Sequence, residues 1–170
     1  NPADFARWET LGATGWSYEK VLPWFRKLED WQGGASAWRG AGGPIRVERP
    51  AGVDPIAGGW LNAAREVGLP VVEDYNGASS EGMSRLQYAV RRGRRSNSAT
   101  EFLKPARKRR NLTVMTGAHV TRVVLKDGRA VGVEVRQRGR DFRLDARQRV
   151  ILSLGAINTP QLLMLSGIGP

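Results

Sequence analysis

The end of the chain, "VILSLGAINTPQLLMLSGIG", has a pattern that suits the binding of an anionic ligand. Its continuous apolar run, 150–154, predicts a strand covered on both faces, as in a parallel sheet. Gly155 follows, and a helix is expected after it, with Asn158 or Thr159 as N-cap and Pro160 at its first position. The free amides of such a helix can bind a phosphate or an oxyanion, although many similar connections bind nothing.

The composition disfavours several other kinds of chemistry. The 170 residues include no cysteine, so disulfides, thiolate metal sites and cysteine nucleophiles are excluded for this chain. The single histidine disfavours a histidine-rich metal site and a self-contained Ser-His-Asp triad. We therefore expect no metal site. No stretch approaches the roughly 20 apolar residues of a membrane span, so no transmembrane segment is expected either.

The chain carries a strong positive charge. It has 22 arginines and 5 lysines against 16 acidic residues, and its formal net charge is +11. The densest part is 91–110, where nine Lys or Arg residues accompany the single acid Glu101. Charge of this kind attracts nucleic acid, but zinc-finger spacing and interleaved stacking aromatics are missing from the sequence. A solvated basic face is the preferred interpretation, with nucleic-acid binding kept as an alternative.

Three further helices are expected to support the site, and each begins at a residue that can cap it. They are predicted over 17–31 with Ser17 as cap, over 55–67 with Asp54 as cap, and from Ser98 to about Arg109. Pro23 lies inside the first and should kink it or delay its start. In the third, Ser98 and Glu101 form a capping box in which each side chain satisfies the other residue's amide.

Strands are indicated where apolar residues alternate with polar ones. They are predicted at 44–49, 86–90, 112–114, 119–125, 130–135 and 143–146. The turn Asp127-Gly128 between two of them predicts a tight hairpin. Because helices and strands are mixed along the chain, the expected class is α/β or α+β.

Several blocks in the right order resemble one enzyme family. "GAINTPQLLMLSGIG" resembles the second signature of the glucose-methanol-choline (GMC) oxidoreductases, flavoenzymes that oxidise alcohols with FAD. The resemblance extends over almost the whole chain. Within the family, the sequence looks most like the bacterial choline-dehydrogenase-like branch. The matching blocks are "NPADFARWETLGATGWSYEKVLPWFRKLED", "GGPIRVERP", "GLPVVEDYNG", "EGMSRLQYAVRRGRRSNSATEFL" and "RRNLTVMTGAHVTRVVL".

The resemblance implies a Rossmann-like FAD-binding domain interleaved with an α+β substrate domain built on an antiparallel sheet. By this analogy residues 1–43 belong to the FAD domain and its extension over the flavin, 44–95 to the substrate domain, and 96–170 to the FAD domain again. The chain would then be an internal fragment of a longer enzyme. A bacterial, cytoplasmic location is expected, with peripheral attachment to the inner membrane left open.

The resemblance also implies cofactor contacts. Val120 would pair its backbone with the adenine edge of FAD, and Gly155 and Ala156 would lie near the flavin. No catalytic residue is assigned, since the family's catalytic histidine and its His or Asn partner are expected beyond Pro170. His119 is interpreted as a strand or loop residue without a catalytic role.

The implied reaction is hydride transfer from the CH–OH carbon of a primary alcohol to flavin N5. The particular alcohol, the electron acceptor and the choice between oxidase and dehydrogenase stay open. The sequence lacks the G-x-G-x-x-G loop that cradles the pyrophosphate of FAD. We therefore expect the 170-residue piece alone to bind FAD weakly and to be inactive. A non-catalytic, degenerate GMC module is the alternative to an enzyme.

Overall fold

The computed structural model describes residues 1–49, 52 and 54–169. Four residues lie outside the described part of the chain: Pro50, Ala51, Val53 and Pro170. The last of them is the expected end of the FAD-domain segment. The chain divides into two compact units, Asn1–Leu112 and Thr113–Pro170. This division does not test the domain boundaries after residues 43 and 95, which stay a prediction.

The first unit opens with two helices, α1 (Pro2–Thr10) and α2 (Tyr18–Leu28). Ser17 is the N-cap residue of α2, as predicted, but its side chain makes no capping bond and only its backbone carbonyl accepts bonds from the first turn. Pro23 lies inside α2, as expected. The helix was also predicted too long, because the chain becomes extended at Glu29.

The extended chain after α2 is strand β1 (Glu29–Trp31), which pairs in parallel with β2 (Ile45–Val47). Pairing with β2 requires the extended conformation, and this explains why α2 ends before Trp31. The predicted strand 44–49 is confirmed at its centre. The next helix, α3 (Pro55–Glu66), begins as expected, since the Asp54 carboxylate accepts the Ile56 amide at 2.8 Å.

The strand predicted at 86–90 forms only at its end. There β3 (Val90–Arg91) pairs antiparallel with β4 (Arg94–Arg95). Earlier in this segment, the Gln87 amide donates to the Tyr75 hydroxyl at 3.0 Å, while Tyr88 makes an isolated bridge with Glu48. Gln87 and Tyr88 therefore bond to distant parts of the chain instead of forming a regular strand ladder. The strand predicted at 112–114 does not form.

The capping box predicted at Ser98 and Glu101 is displaced by one residue. Asn97 is the cap, since its side-chain oxygen accepts the amides of Ala99 and Thr100 at 2.9 and 3.0 Å. The Glu101 carboxylate instead accepts the Ser96 hydroxyl at 3.1 Å. A π-helical turn, Ala99–Leu103, and a short α4, Lys104–Ala106, follow, so the helix ends earlier than predicted.

The second unit contains an antiparallel sheet in the order β5–β6–β7. Its strands are Ala118–Lys126, Arg129–Gln137 and Arg140–Asp145. The first two confirm the predicted strands and extend them, while the third begins three residues before the strand expected at 143. Asp127 and Gly128 form the predicted turn, both with positive φ (50° and 74°).

A helix packs on this sheet. Helix α5 (Gly155–Leu165) contributes the buried Leu162, which forms the core of this unit with Val123 of β5 and Val135 of β6. Gly132 of β6 lies against β7, where a Cβ atom would come 2.4 Å from the Leu144 carbonyl oxygen. This close approach explains glycine in the middle of a strand.

Two expectations about the end of the chain are wrong. The run 150–154 is not a strand, and among the residues described by the structure none pairs with it; Ile151 is 81 % exposed. Without a neighbouring parallel strand this segment has no ladder to join. Helix α5 begins at Gly155, so neither Asn158 nor Thr159 is its N-cap, and Pro160 lies inside it rather than at its first position.

Candidate functional site

Val120 lies on the strand at the edge of the sheet. It is in β5, paired with Val135 of β6, and the register shifts after it so that Thr121 is bulged and Arg122 faces Glu134. The Thr121 hydroxyl donates to the Glu134 carbonyl at 3.3 Å. An edge strand offers main-chain N–H and C=O groups on its open side, and such groups can pair with the edge of a planar heterocycle.

Gly155 forms the turn into α5. Its φ is +88°, a value that side chains with a Cβ rarely adopt, so glycine is needed for the conformation. A Cβ there would meet nothing within 4 Å, so packing does not require glycine. Ala156 is exposed in the first helical turn. Glycine at this position therefore serves the turn that leads into α5.

Residues 155–158, which form the first turn of α5, are exposed. The helix has no side-chain cap, and its N-cap position is occupied by Leu154. The Thr159 hydroxyl turns back and accepts the Leu154 amide at 3.2 Å, which leaves the amides of the first turn available. Since the first amides of a helix have no acceptor within it and carry a partial positive charge, this end suits an anionic group.

A groove of about 460 Å³ connects the sheet with the segment before α5. Its lining includes Val120, Leu144, Leu162 and residues 149–154. The structure thus brings Val120 and the segment that leads into Gly155 to the same groove. Gly155 and Ala156 themselves do not line it.

The residues around this groove fit one half of a dinucleotide. The groove wall is mostly apolar, its neighbouring edge strand carries backbone hydrogen-bonding groups, and α5 begins beside it. Those features suit an adenine ring with a nearby anionic group. The glycine-rich loop G-x-G-x-x-G that cradles a pyrophosphate is missing from this sequence, so the chain supplies only part of such a site.

His119 lies outside this groove. It is an exposed residue of β5 opposite Arg136. The prediction that it is a strand histidine is confirmed. Ionisable side chains within the lining are limited to Asp145 and Arg149. The groove therefore suits binding and offers no arrangement of an acid and a base for proton transfer.

Arg39 is a buried hub in the first unit that the sequence did not predict. Its side chain is 3 % exposed, and its guanidinium pairs bidentately with Glu29 at 2.9 and 2.6 Å. It also donates to Asp74 at 2.6 Å and to Gln87 at 2.8 Å, and it lies 4.1 Å from the centre of the Trp31 ring. This one side chain joins segments 10, 35 and 48 residues away.

Arg39 also pairs with Glu29, the carboxylate that lines a second groove. This groove, of about 670 Å³, is lined by five aromatic residues and by Glu29. Glu29 is paired with Arg39, so the groove does not offer a free carboxylate to a cation. Other acidic residues of the first unit include Glu73, Asp74 and Glu81. Asp74 is paired with Arg39, and Glu73, 89 % exposed, lies 3.6 Å from Arg49.

The pKa of Asp30 lies below its ordinary value of 3.8. The main cause is the hydrogen bond from the Gly42 amide, at 3.0 Å, and the Arg46 guanidinium at 3.2 Å adds to it against an opposing effect of burial. The ionised form is thus favoured in the folded chain.

Replacing Asp30 by Asn should therefore change the acid dependence of stability. The contribution of the charge is complete above about pH 5, decreases below about pH 4, and is gone once the pH is below the lowered pKa. Denaturant unfolding of both proteins across this range should show a difference that shrinks on acidification. A difference that is the same at every pH would contradict the lowered pKa.

The basic stretch is largely unpaired. Within 91–110, only Arg91 makes ion pairs among the described residues, with Asp30 and Glu101 at 3.8 Å each. The other cations are exposed. They are Arg92, Arg94, Arg95, Lys104, Arg107, Lys108, Arg109 and Arg110. Exposed cations are expected both for a solvated basic face and for a nucleic-acid-binding surface, so the choice between the two stays a prediction.

The described residues contain neither a metal-binding cluster nor a membrane-spanning helix. No group of three or more His, Cys, Asp or Glu side chains in this part of the chain is arranged to hold a metal ion. Within the same residues, no helix combines the length and apolar character needed to cross a membrane.

Comparison with known proteins gives consistent matches over nearly the whole chain. The chain is 44 % identical over 167 residues to the oxygen-dependent choline dehydrogenase of Rhizobium johnstonii and 43 % identical over 168 residues to that of Brucella ovis. These alignments cover 98 % of this chain and 30 % of each relative. The chain therefore spans about 30 % of the length of these relatives.

Solved structures match as well. Pyridoxine 4-oxidase from Mesorbium loti superposes with a TM-score of 0.91 and 35 % identity, over 100 % of this chain and 34 % of that one. An FAD-dependent oxidoreductase from Chaetomium thermophilum gives a TM-score of 0.90 and 28 % identity, over 100 % and 32 %. The sequence model described as GMC oxidoreductase matches residues 1–170. Because that match covers the whole length, the chain belongs to the GMC oxidoreductase family.

Proposed function

We propose that this chain is a segment of an FAD-dependent alcohol oxidoreductase and supplies part of its cofactor site. The observation that carries the proposal is the family match over residues 1–170, joined to a TM-score of 0.91 with a solved oxidase. When bound, FAD accepts the hydride that leaves the CH–OH carbon of the alcohol. The hydroxyl proton passes to a base, and the product is an aldehyde.

The contribution of this chain is to bind and orient the cofactor. The backbone of Val120 at the open edge of β5 pairs with the adenine, and the apolar groove beside it excludes water from the ring. Gly155 and Ala156 direct the first amides of α5 toward the flavin side of the cofactor. His119 takes no part in proton transfer, because it is an exposed residue of the strand rather than part of the groove.

The substrate class is a primary alcohol. The relatives named above act on choline and on pyridoxine, and both molecules carry primary hydroxyl groups. A quaternary ammonium group needs a carboxylate or an aromatic cage. Glu29 and Asp74 are engaged by Arg39, so this chain provides neither as a free partner for choline. Five aromatic residues line the same groove as Glu29 and are the kind of side chain that an aromatic cage uses, so a primary alcohol, cationic or neutral, is the substrate class that we propose.

The test is anaerobic mixing of the enzyme that carries this chain with candidate alcohols. Bleaching of the visible flavin absorbance by a primary alcohol, with stoichiometric aldehyde, is the expected result. Choline, pyridoxine and benzyl alcohol form the first panel, and the matching secondary alcohols serve as controls. A flavin that no alcohol reduces would refute the proposed activity and favour a non-catalytic GMC module.

The second alternative is a basic nucleic-acid-binding protein. The unpaired cations between Arg92 and Arg110 are the observation that favours it. Such binding would weaken steeply as salt is raised. A titration with duplex DNA and with RNA at two salt concentrations tests it, and we expect only weak, sequence-independent association.

A cytoplasmic location, with peripheral membrane attachment as the alternative, is likewise part of the proposal.

A further inference from the structure

Ser166 follows α5 directly, and its hydroxyl joins two separate backbone segments. The hydroxyl donates to the Leu162 carbonyl at 2.6 Å and accepts the Val123 amide at 2.8 Å. Leu162 belongs to α5 and Val123 to β5. One side chain therefore ties the last turn of the helix to the edge strand of the sheet.

This bond satisfies an amide that the sheet leaves unpaired. Strand β5 is at the edge of the order β5–β6–β7, and the Val123 N–H points to the Ser166 hydroxyl rather than to a neighbouring strand. Val123 is only 4 % exposed. Because the amide is shielded, water is a poor substitute for the serine, and loss of the hydroxyl leaves a buried donor without a partner.

The two elements joined by Ser166 are those of the proposed cofactor site. Val123 is three residues from Val120 on β5, and Leu162 lies on the helix that Gly155 and Ala156 begin. Val120 and Leu162 also line the same groove. A displacement of α5 along the edge strand would change the distance between the adenine-pairing backbone and the first amides of the helix.

We propose that Ser166 is a positioning residue for FAD, which fixes α5 against the edge of β5 without touching the cofactor. This inference rests on the proposed function. Ser166 lies at the end of α5, and its proposed role concerns the geometry of the site at the start of the same helix. The residue acts through Val123 and Leu162, so its effect on the cofactor is indirect.

The test compares Ser166→Ala with Ser166→Thr in the enzyme that carries this chain. Amide hydrogen exchange of the apoprotein is measured at Val123, and FAD dissociation constants are measured by reconstitution. We expect Ser166→Ala to speed Val123 exchange and to weaken FAD binding, each by about tenfold. Ser166→Thr keeps the hydroxyl and should restore both. Thr10→Ala is the matched control, since the Thr10 hydroxyl also donates to the carbonyl four residues earlier, at 3.0 Å, in the last turn of α1.

The outcomes separate this inference from the proposed function. If the unaltered protein binds FAD and Ser166→Ala binds it equally well, the positioning role is refuted and the proposed function stands. If Thr10→Ala weakens FAD binding as much as Ser166→Ala, the effect is a general loss of stability and the positioning role is again refuted. If the unaltered protein binds no FAD, the proposed function fails, and the inference fails with it.

Discussion

Replacing Arg39 by Met lowers the free energy of unfolding by about 3–5 kcal/mol. The cost arises because the change leaves Glu29 and Asp74 without the cation that both carboxylates contact at 2.6 Å. It also removes the planar group stacked 4.1 Å from the centre of the Trp31 ring. Urea unfolding followed by the fluorescence of the six tryptophans measures the effect.

Two further variants define the cause of the Arg39 effect. Arg39→Lys keeps the charge but loses the bidentate geometry, so its stability should lie between those of the unaltered chain and Arg39→Met. Arg122→Met breaks an ion pair of similar length, 2.6 Å to Glu134, on an exposed surface, and it should change stability little. If Arg39→Met and Arg122→Met had equal effects, burial would not be the reason for the importance of Arg39.

Replacing Gly155 by Ala should weaken FAD binding by about tenfold in the enzyme that carries this chain, because an adverse backbone conformation costs on the order of 1–3 kcal/mol. The φ of +88° disfavours any residue with a Cβ. Since space is open around the Cβ position, the backbone relaxes by changing φ rather than by displacing a neighbour. That change redirects the first amides of α5, and the FAD dissociation constant measures it.

Gly59→Ala is the matched control for Gly155→Ala. Gly59 lies inside α3, where φ is not positive and a Cβ would meet nothing within 4 Å. Alanine in a helix interior is more favourable than glycine by roughly 0.5–1 kcal/mol, so this variant should be slightly more stable and bind FAD normally. Unchanged FAD affinity in Gly155→Ala would show that the turn at Gly155 does not orient the cofactor.

The elements predicted correctly are those whose signals act over a few residues. The Asp54 carboxylate caps α3 through an amide two residues away, and the Asp127-Gly128 turn needs only its own two dihedral pairs. Alternation of apolar residues likewise located β5 and β6, so the strand that carries Val120 was found. Interactions this local can be derived from the order of the residues alone.

Several errors come from contacts that the local sequence patterns do not identify. Ser98 was expected to share a capping box with Glu101, but Ser96 and Arg91 both engage Glu101, and Asn97 caps the helix instead. A covered parallel strand was expected at 150–154, but no described residue pairs with this segment.

Parts of the candidate site depend on contacts between residues that are far apart in the sequence. The bulge after Val120 and the bond from Val123 to Ser166, 43 residues away, depend on packing that periodicity does not encode. The Arg39 hub is a similar case, because its partners lie 10, 35 and 48 residues away. The cofactor residues Val120, Gly155 and Ala156 came from family resemblance and stay a proposal.

Amide hydrogen exchange with and without FAD tests the central claim most directly, because it reports on the backbone groups said to hold the cofactor. The experiment uses the enzyme that carries this chain, in its apo and reconstituted forms. The account predicts that FAD slows exchange at Val120 and its neighbours in β5 and at the first turn of α5, around Gly155 and Ala156. Unchanged exchange in both elements, with FAD bound and protection confined to other parts of the protein, would contradict it.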